Sequence, residues 1–470
     1  MSNRLWAHGA LALALVATPA AAATDAELAE IREQIRALKA NYESRIGALE
    51  HRLQDAERAM APSDARSAAL TEPVATVPPT EAPSTAAVSA SASTRSSAFN
   101  PAISVVLQGR YADLSQDPDR YALAGFASGG EIGPGPRGFS LAESELTFSA
   151  SVDHLFAANL TFALSPEDTV SVEEAFAVLT GLENGLAPKF GRFLSAIGYL
   201  NEQHRHVWDF VDAPLAYEAF LGGQYRNDGL QLKWVAPTDQ FIELGAEIGR
   251  SDFFPGTATN RNGVGSAALY AHTGGDVGTS HSWRAGVSYL RTRAADRESL
   301  QPDRAGNEAL TRYTGHSDVV IADFVWKYAP HGNARDTSVK VQGEYFWRRE
   351  RGELAYDADG ALGLTNSAPY DSRQSGWYLQ GVYQFMPAWR VGARYDRLDP
   401  GTVDYTQNAP YLGGVDTRPQ RTSVMVDWSP SEFSRLRLQL ARAKTQADAT
   451  DNQFFLQYIL TLGAHGAHRF

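Results

Sequence analysis

The final stretch of the chain, residues 454–470, alternates apolar and polar side chains over a length that few folds accommodate. Apolar side chains occupy the even positions from Phe454 to Leu462, and polar side chains such as Gln457 and Thr461 occupy odd positions. A period of two residues predicts a β-strand with one apolar face and one polar face. The predicted strand is far longer than the usual ~5–6 residues and can cross a bilayer when tilted.

The chain from residue 99 onward divides into further segments of this kind. The predicted strands span residues 103–111, 140–152, 155–164, 170–179, 186–193, 229–235, 241–249, 266–273, 283–291, 319–328, 339–348, 377–385, 390–397, 422–428, 435–442 and 454–470. Short connections fall at residues 153, 237–239, 331–333 and 387, and long ones at residues 115–138, 195–222, 294–315, 352–375 and 399–419. This even number of strands, with short and long connections at opposite ends, predicts an all-β fold: a 16-stranded antiparallel transmembrane β-barrel. A barrel of about this size encloses a water-filled lumen.

The N-terminal part of the chain has three compositions in succession. Residues 1–23 combine a positive start, an apolar run and small residues before a cleavage point, which predicts a secretory signal peptide. Residues 24–60 repeat apolar side chains at steps of three or four, which predicts a periplasmic coiled-coil helix; packing of that helix on the barrel mouth is the alternative. Residues 61–98 are rich in Ala, Ser, Thr and Pro and predict a linker, which leaves residues 99–470 for the barrel.

Composition excludes several classes of protein. The chain has no cysteine, so disulfides and cysteine metal sites are ruled out. Its formal net charge of −12 provides no basic footprint, and no nucleic-acid partner is predicted. Beyond the signal peptide no apolar run reaches 18 residues, so no transmembrane helix is predicted. The 9 Trp and 19 Tyr suit the interfaces of a membrane, and membrane lipid is the expected surrounding.

Three local patterns carry a family resemblance. They are Phe99-Asn100-Pro101 before the first strand, Gly191-Arg192-Phe193 before the third long loop, and the closing strand that ends on Phe470. Together with the order of helix, linker and barrel, they resemble the porin superfamily, most closely the phosphate-selective porin O/P type. The ending 462–470 is also similar to poorly characterised outer-membrane proteins labelled zinc-regulated receptors.

The resemblance implies a location and partners. It implies a bacterial outer-membrane protein that forms a homotrimeric passive channel, with the third long loop folded into the barrel. A closing strand with a terminal aromatic resembles the ends that the barrel assembly machinery reads. No cofactor is predicted.

Strand parity predicts which side chains line the lumen. On the strand at 435–442, Leu436, Leu438 and Leu440 are placed toward lipid, which turns the arginines between them inward. The same parity at 390–397 turns two more arginines inward, because a cationic side chain facing lipid at mid-bilayer costs ~2–4 kcal/mol. The predicted basic wall therefore consists of Arg390, Arg394, Arg435 and Arg437. A lattice of arginines and carboxylates that only stiffens the wall is the alternative.

Carboxylates are predicted on the lumen side as well. Parity turns four of them inward on two strands: Glu143, Glu145, Glu243 and Glu247. The third long loop adds the charged and histidine side chains Glu202, His204, His206, Asp209 and Asp212. Folded inward and opposite arginines, these residues would form a charged constriction, which is how pores select ions. An ordinary external loop is the alternative.

The loop also contains a candidate metal site. His204 and His206 lie on one side of an extended segment, with Asp209 close in sequence. Imidazole and carboxylate are ligands for zinc or a similar divalent ion, which makes these three residues candidate ligands. Histidines that only form hydrogen bonds to solvent are the alternative.

These features together predict a porin through which small hydrophilic solutes or ions diffuse passively. An outer-membrane receptor or uptake channel for a metal ion such as zinc is the alternative, followed by an outer-membrane enzyme. The stretch Gly133–Gly138 matches the dinucleotide pattern G-x-G-x-x-G by letter only, because it lies in a proline-rich loop with no following helix. No hydrolase elbow or phosphate-binding loop is present, and the protein is predicted not to be an enzyme.

Overall fold

The structure is a computed structural model that describes residues 101–463 except for residues 128, 166–168, 259 and 261. The predicted signal peptide, coiled-coil helix and linker lie outside the described residues, as do the last seven residues of the predicted closing strand.

The described residues form a single antiparallel sheet. Its strands are β1 (Ala102–Leu114), β2 (Gly138–Leu141), β3 (Ser144–Ser151), β4 (Phe156–Leu164), β5 (Val170–Leu179), β6 (Leu186–Leu194), β7 (Arg226–Val235), β8 (Phe241–Gly249), β9 (Ser266–Val277), β10 (His281–Pro302), β11 (Glu308–Tyr328), β12 (Ser338–Tyr356), β13 (Asn366–Met386), β14 (Trp389–Asp404), β15 (Gln420–Ser431), β16 (Ser434–Lys444) and β17 (Asp451–Gly463). One α-helix, α1 (Leu215–Leu221), interrupts the series after β6. Short 3-10 turns occur at Pro118–Arg120, Arg205–Val207, Pro330–Gly332 and Thr406–Asn408. None of the helices among the described residues is both long enough and apolar enough to cross a membrane.

The sheet closes on itself through its first strand. β1 pairs with β17 on one side, from Ser104 opposite Gly463 to Leu114 opposite Gln453. On its other side β1 pairs with β2 and then with β3, which continue one another across a short break. Counting β2 and β3 as one interrupted strand gives a closed barrel of 16 antiparallel strands, which confirms the predicted fold.

The outer surface of the barrel is apolar where the strands alternate. On β16, Leu436, Leu438 and Leu440 are exposed, while Arg437 and Gln439 between them are buried. Similar exposed side chains recur around the barrel, including Leu230, Leu232, Phe190, Leu269, Val287, Phe324, Val424 and Leu462. Because an apolar belt of this extent is stable only in contact with lipid, the barrel spans a membrane.

Three of the predicted long loops are wrong in extent. Most of residues 294–315 and 352–375, and residues 399–404 of the third loop, belong to strands β10 to β14, which leaves 303–307, 357–365 and 405–419 outside strands. Past the apolar belt, charged side chains such as Glu298 and Arg312 occupy the exposed face of the strands, while Ala309 and Tyr313 are buried on the other face. The apolar exposed face ends there although the strand continues, so periodicity predicts the extent of the belt but not the ends of the strands.

Candidate functional site

The chain between β6 and β7 turns into the barrel instead of remaining outside it. This inner segment, residues 195–225, is largely buried and includes α1. Asn201 closes its neck: the side-chain Nδ2 donates to the carbonyls of Ser195 and Tyr225 at 2.7 Å each, and its Oδ1 accepts from the Tyr225 N–H at 2.7 Å. The segment therefore enters and leaves the lumen at one point.

The far end of the inner segment rests on the opposite wall through an apolar contact. The Phe220 ring on α1 stacks on Phe346 of β12, with centroids 5.7 Å apart and planes 11° apart. Tyr217 packs edge-on against the same Phe346 ring at 5.2 Å. Aromatic pairs of this kind add roughly 0.5–1.5 kcal/mol each beyond the area they bury.

A single carboxylate of that wall anchors the backbone of the segment. Glu344 of β12 accepts from the N–H groups of Tyr199 at 3.2 Å and Leu200 at 3.1 Å. It also accepts from the hydroxyls of Tyr217 at 2.9 Å and Tyr378 at 2.7 Å. Three donors of the segment at one buried carboxylate, which Tyr378 of β13 also contacts, hold the segment in a fixed position across the lumen.

Asp209 of the inner segment meets the predicted basic wall. Its Oδ1 lies 3.1 Å from Arg390 NH1, and its Oδ2 contacts Lys340 Nζ and accepts from Gln380 at 3.1 Å. Burial alone would raise the pKa of Asp209, but Lys340 and Arg390 outweigh it and lower that pKa. Asp209 is thus a carboxylate held by two cations.

Asp212 meets the same wall further along. Its Oδ1 lies 2.9 Å from Arg394 NH2, its Oδ2 lies 2.7 Å from Arg421 NH1, and Gln439 donates to it at 2.8 Å. Burial opposes ionisation, but Arg394 and Arg421 lower the pKa of Asp212 to about 2. Ion pairs between segment and wall thus continue the anchoring that Glu344 begins.

The remaining two arginines of the basic wall differ in exposure. Arg437 is buried, with its Nε 2.7 Å from Asp427 Oδ1 and its NH2 donating to the Trp208 carbonyl at 2.9 Å. Arg435 keeps a quarter of its side chain exposed, and its Nε lies 3.9 Å from Asp427. The wall is therefore a lattice of arginines and carboxylates in which Arg435 and Arg390 reach open space.

Two histidines of the inner segment meet carboxylates on the other side of the lumen. His204 Nδ1 lies 3.1 Å from both Glu145 and Glu173, and His204 Nε2 lies 3.1 Å from Glu174. His206 Nδ1 lies 2.8 Å from Glu145. We call these five residues the glutamate–histidine cluster. Burial would lower the pKa of His204, but Glu145 and Glu173 outweigh it and raise that pKa well above its usual value.

The structure separates Asp209 from the two histidines with which it is predicted to bind a metal. Asp209, three residues beyond His206, turns to Arg390 and Lys340 and takes no part in the group that joins the histidines. Glu145, 61 residues from His206 in sequence, occupies the position expected of Asp209. The inner segment crosses from one wall to the other between His206 and Asp209. Asp209 therefore meets the cations of the basic wall instead of the histidines.

The other predicted lumen carboxylates have separate partners. Glu143 lies in the break between β2 and β3 and pairs with Arg205 at 3.2 Å. Glu202 of the inner segment pairs with Lys233 of β7 at 3.2 Å.

Glu243 and Glu247 of β8 are buried on the lumen side of the wall. Glu243 lies 3.0 Å from His272 Nδ1. Glu247 accepts from the Ser195 hydroxyl at 2.6 Å and from the Ala196 N–H at 3.0 Å, so it fixes the start of the inner segment.

Several lumen residues were missed by the sequence analysis. On β15, Val424 and Trp428 face outward, which turns Arg421 and Asp427 inward by the parity rule already used for β16. By contrast, no periodicity indicates that the neighbours Glu173 and Glu174 point the same way. A β-bulge at Glu173, seen where Thr161 pairs with Glu174 but Phe162 pairs with Val172, turns both carboxylates inward.

A protein of Aquifex aeolicus described only as uncharacterized shares much of this sequence. It is 33% identical over 356 residues, which cover 71% of this chain and 70% of the Aquifex protein. The chain belongs to the family of this Aquifex protein. No family model matches the chain.

Solved structures of outer-membrane proteins superpose on this chain. OmpT, an outer membrane protein of Vibrio cholerae in its trimer form, superposes with a TM-score of 0.50 at 12% identity, covering 77% of this chain and 99% of OmpT. The anion-selective porin from Comamonas acidovorans gives a TM-score of 0.46 at 10% identity, with 77% and 99% covered. The likeness to OmpT shows that this chain has the fold of an outer-membrane barrel.

Proposed function

We propose that the protein is a porin of the bacterial outer membrane. Small hydrophilic solutes or ions would diffuse passively past the inner segment, and no covalent chemistry is involved. The observation that carries the proposal is the inner segment itself, which spans the lumen from an acidic wall to a basic wall. Glu145, Glu173 and Glu174 lie on one side, and Arg390 and Arg435 lie on the other.

This arrangement produces an electric field across the lumen rather than along it. Charges in confined water interact more strongly than charges on an open surface, because fewer waters and ions screen them. A cavity of about 610 Å³ lies on the short-turn side of the inner segment, lined by Arg390, Arg435, His206 and the turn residues 431–434. Ions entering from that side meet Arg435 before the rest of the basic wall.

The family resemblance also implies selectivity for phosphate, and the charges of the lumen bear on this expectation. The basic wall supports anion passage, but Asp209, Asp212, Asp396 and Asp427 neutralise much of it. We infer a general pore whose ion preference is tuned by the exposed arginines. A trimer remains the expected assembly, and OmpT, an outer membrane protein of this fold, has a trimer form.

Reversal potentials across a planar bilayer test the proposal. The full mature protein is expected to conduct, and Arg435→Gln is expected to shift the reversal potential in a salt gradient toward cations. The reason is that Arg435 is one of two basic-wall arginines with a partly exposed side chain, and among the described residues it makes only one ion pair, 3.9 Å long.

Arg442→Gln is the matched control, since Arg442 lies on the same strand with its side chain exposed on the opposite parity. It should leave the reversal potential unchanged. A wild-type protein that inserts but does not conduct contradicts the porin proposal. Equal shifts in Arg435→Gln and Arg442→Gln would contradict the role of the basic wall in ion preference but not the porin proposal.

A further inference from the structure

The glutamate–histidine cluster brings metal-binding atoms together in the barrel interior. Glu145, His204 and His206 each offer one ligand atom, and these atoms all lie within 4.8 Å of one another. Glu145 stands between the rings: its Oε2 is 3.1 Å from His204 Nδ1, and its Oε1 is 2.8 Å from His206 Nδ1.

These separations suit a small divalent cation. With bonds of about 2.0–2.2 Å to nitrogen and oxygen, the ligand atoms of a tetrahedral zinc site are about 3.3 Å apart. Two imidazoles and one carboxylate form a donor set that zinc accepts, with water in the fourth position. Glu173 Oε2 lies 3.1 Å from His204 Nδ1 and adds negative charge beside the site.

An irregularity in β5 places two further carboxylates beside the histidines. Consecutive residues of a regular strand point to opposite faces, yet Glu173 and Glu174 both reach His204. The β-bulge in β5 makes this possible, and both side chains are less than a tenth exposed. Bulges commonly re-aim a side chain next to a functional site. Buried carboxylates gathered by a backbone irregularity need a cation to offset their desolvation.

The two histidine rings lie side by side. Their planes are 29° from parallel and their centroids are 5.7 Å apart. Each ring directs its Nδ1 atom toward Glu145, so one ion beside this carboxylate can contact both rings.

The cluster has a route to solvent. His206 contributes to the lining of the cavity of about 610 Å³ on the short-turn side, and a quarter of the His204 side chain is exposed. A metal ion reaches the ligands from that cavity without any opening of the barrel wall. Access of this kind is required of a site that loads after folding.

We propose that the cluster binds one divalent transition-metal ion of the zinc type, with His204, His206 and Glu145 as ligands and Glu173 as a neighbouring carboxylate. Glu174 forms a hydrogen bond with the other ring nitrogen of His204, Nε2, and orients that ring. The ion ties the inner segment to β3, opposite the ion pairs that tie it to β14 and β15. The inference goes beyond solute diffusion and does not depend on it.

Metal binding to the untagged, full mature protein in detergent tests the site. After treatment with a chelator and its removal, ZnCl₂ titrated by calorimetry is expected to give one tight site per chain. His206→Ala and the isosteric Glu145→Gln are expected to weaken it by more than the roughly 10–100-fold that loss of an outer-shell partner costs. Co²⁺ in place of zinc is expected to give a visible spectrum that both variants lose.

His272→Ala is the matched control, because His272 is also buried and also lies 3.0 Å from a glutamate, but has no second histidine beside it. It should bind zinc as the wild type does. Absence of tight zinc binding in the wild type, unchanged affinity in folded His206→Ala or Glu145→Gln, or an equal loss in His272→Ala would each overturn the site. Circular dichroism verifies that the variants are folded, and bilayer conductance reports separately on the porin proposal.

Discussion

At the scale of residues, the lumen is held together by buried pairs of opposite charge. Asp212 illustrates this, since it lies between Arg394 at 2.9 Å and Arg421 at 2.7 Å. With its pKa lowered to about 2, its contribution to stability is complete above the unfolded pKa of ~3.9. That contribution is lost only as the pH falls through about 2, so this attachment of the inner segment is expected to persist in moderately acidic conditions.

Asp212→Asn is expected to destabilise the folded barrel by up to about 3–5 kcal/mol, because it removes one of the two carboxylates, Asp212 and Asp396, that the buried Arg394 and Arg421 share. The measurement is the midpoint of denaturant unfolding in detergent. Glu298→Gln is the control, since Glu298 pairs with Arg312 at 2.9 Å on the exposed surface, and such pairs contribute about 0–1 kcal/mol. Similar losses in both variants would mean that the buried lattice is not the stabilising element.

At the scale of elements, the inner segment and the strand extensions determine what each end of the barrel presents. Strands β10 to β13 are 22, 21, 19 and 21 residues long, well beyond what crosses a bilayer at about 9–11 residues. They rise past the apolar belt on the side opposite the short turns. On that side they carry a buried ion pair of Arg297 with Glu350 at 2.7 Å. The ends of these strands are therefore rigid, and only short tips are open to insertion.

Epitope tags inserted at Gly306 and Gly360 are expected to be labelled on intact cells, whereas a tag at Gly332 is expected to be labelled only after the cells are opened. Gly306 and Gly360 lie in the tips beyond the long strands, and Gly332 lies in a short turn at the other end. Labelling at Gly332 on intact cells would invert the proposed orientation.

An insertion at Gly256 provides a contrast for the same experiment. A Cβ there would lie 2.0 Å from Ser251 Oγ, so this position is packed rather than open. We expect the insertion at Gly256 to reduce the yield of folded barrel, measured as heat-modifiable migration on a gel. A normal yield of folded, labelled protein would show that residues 250–265 form an open tip.

At the scale of the whole molecule, the barrel is apolar outside and charged inside, which is the reverse of a soluble protein. Exposed Leu, Val, Phe and Trp side chains cover the outer surface, while carboxylates, arginines and glutamines are buried around the inner segment. The sheet closes on itself within one chain, through the pairing of β1 with β17. Association into a trimer is therefore a separate question, and the predicted coiled coil at residues 24–60 is the part of the chain proposed to decide it.

A peptide of residues 24–60 is expected to be helical, with a melting temperature that rises with concentration, because its apolar stripe must be buried between chains. Replacing Ile35 and Leu49 with Asp should abolish the helix. Circular dichroism measures the helicity and the melting temperature, and sedimentation equilibrium measures the association state. A peptide that stays monomeric at high concentration would favour the alternative, in which this segment packs on the barrel.

The amino-acid sequence by itself determined the barrel and the facing of its strands. Alternation is a local property, because each residue of a strand faces either lipid or lumen regardless of its distant partners. This is why the parity of Leu436, Leu438 and Leu440 placed Arg437 inside, where it is buried. Strand ends outside the belt were not predictable, because charged side chains there replace the exposed apolar ones that mark the belt.

The tertiary structure alone decided which lumen residues meet. Glu145 joins His206 across 61 residues, and Asp212 joins Gln439 across 227. No pattern within one strand encodes such pairs, because they depend on the path of the inner segment across the lumen. The bulge that turns Glu173 and Glu174 toward His204 depends likewise on the register between β4 and β5. The sequence therefore predicts which residues face the lumen, and the path of the chain through it selects their partners.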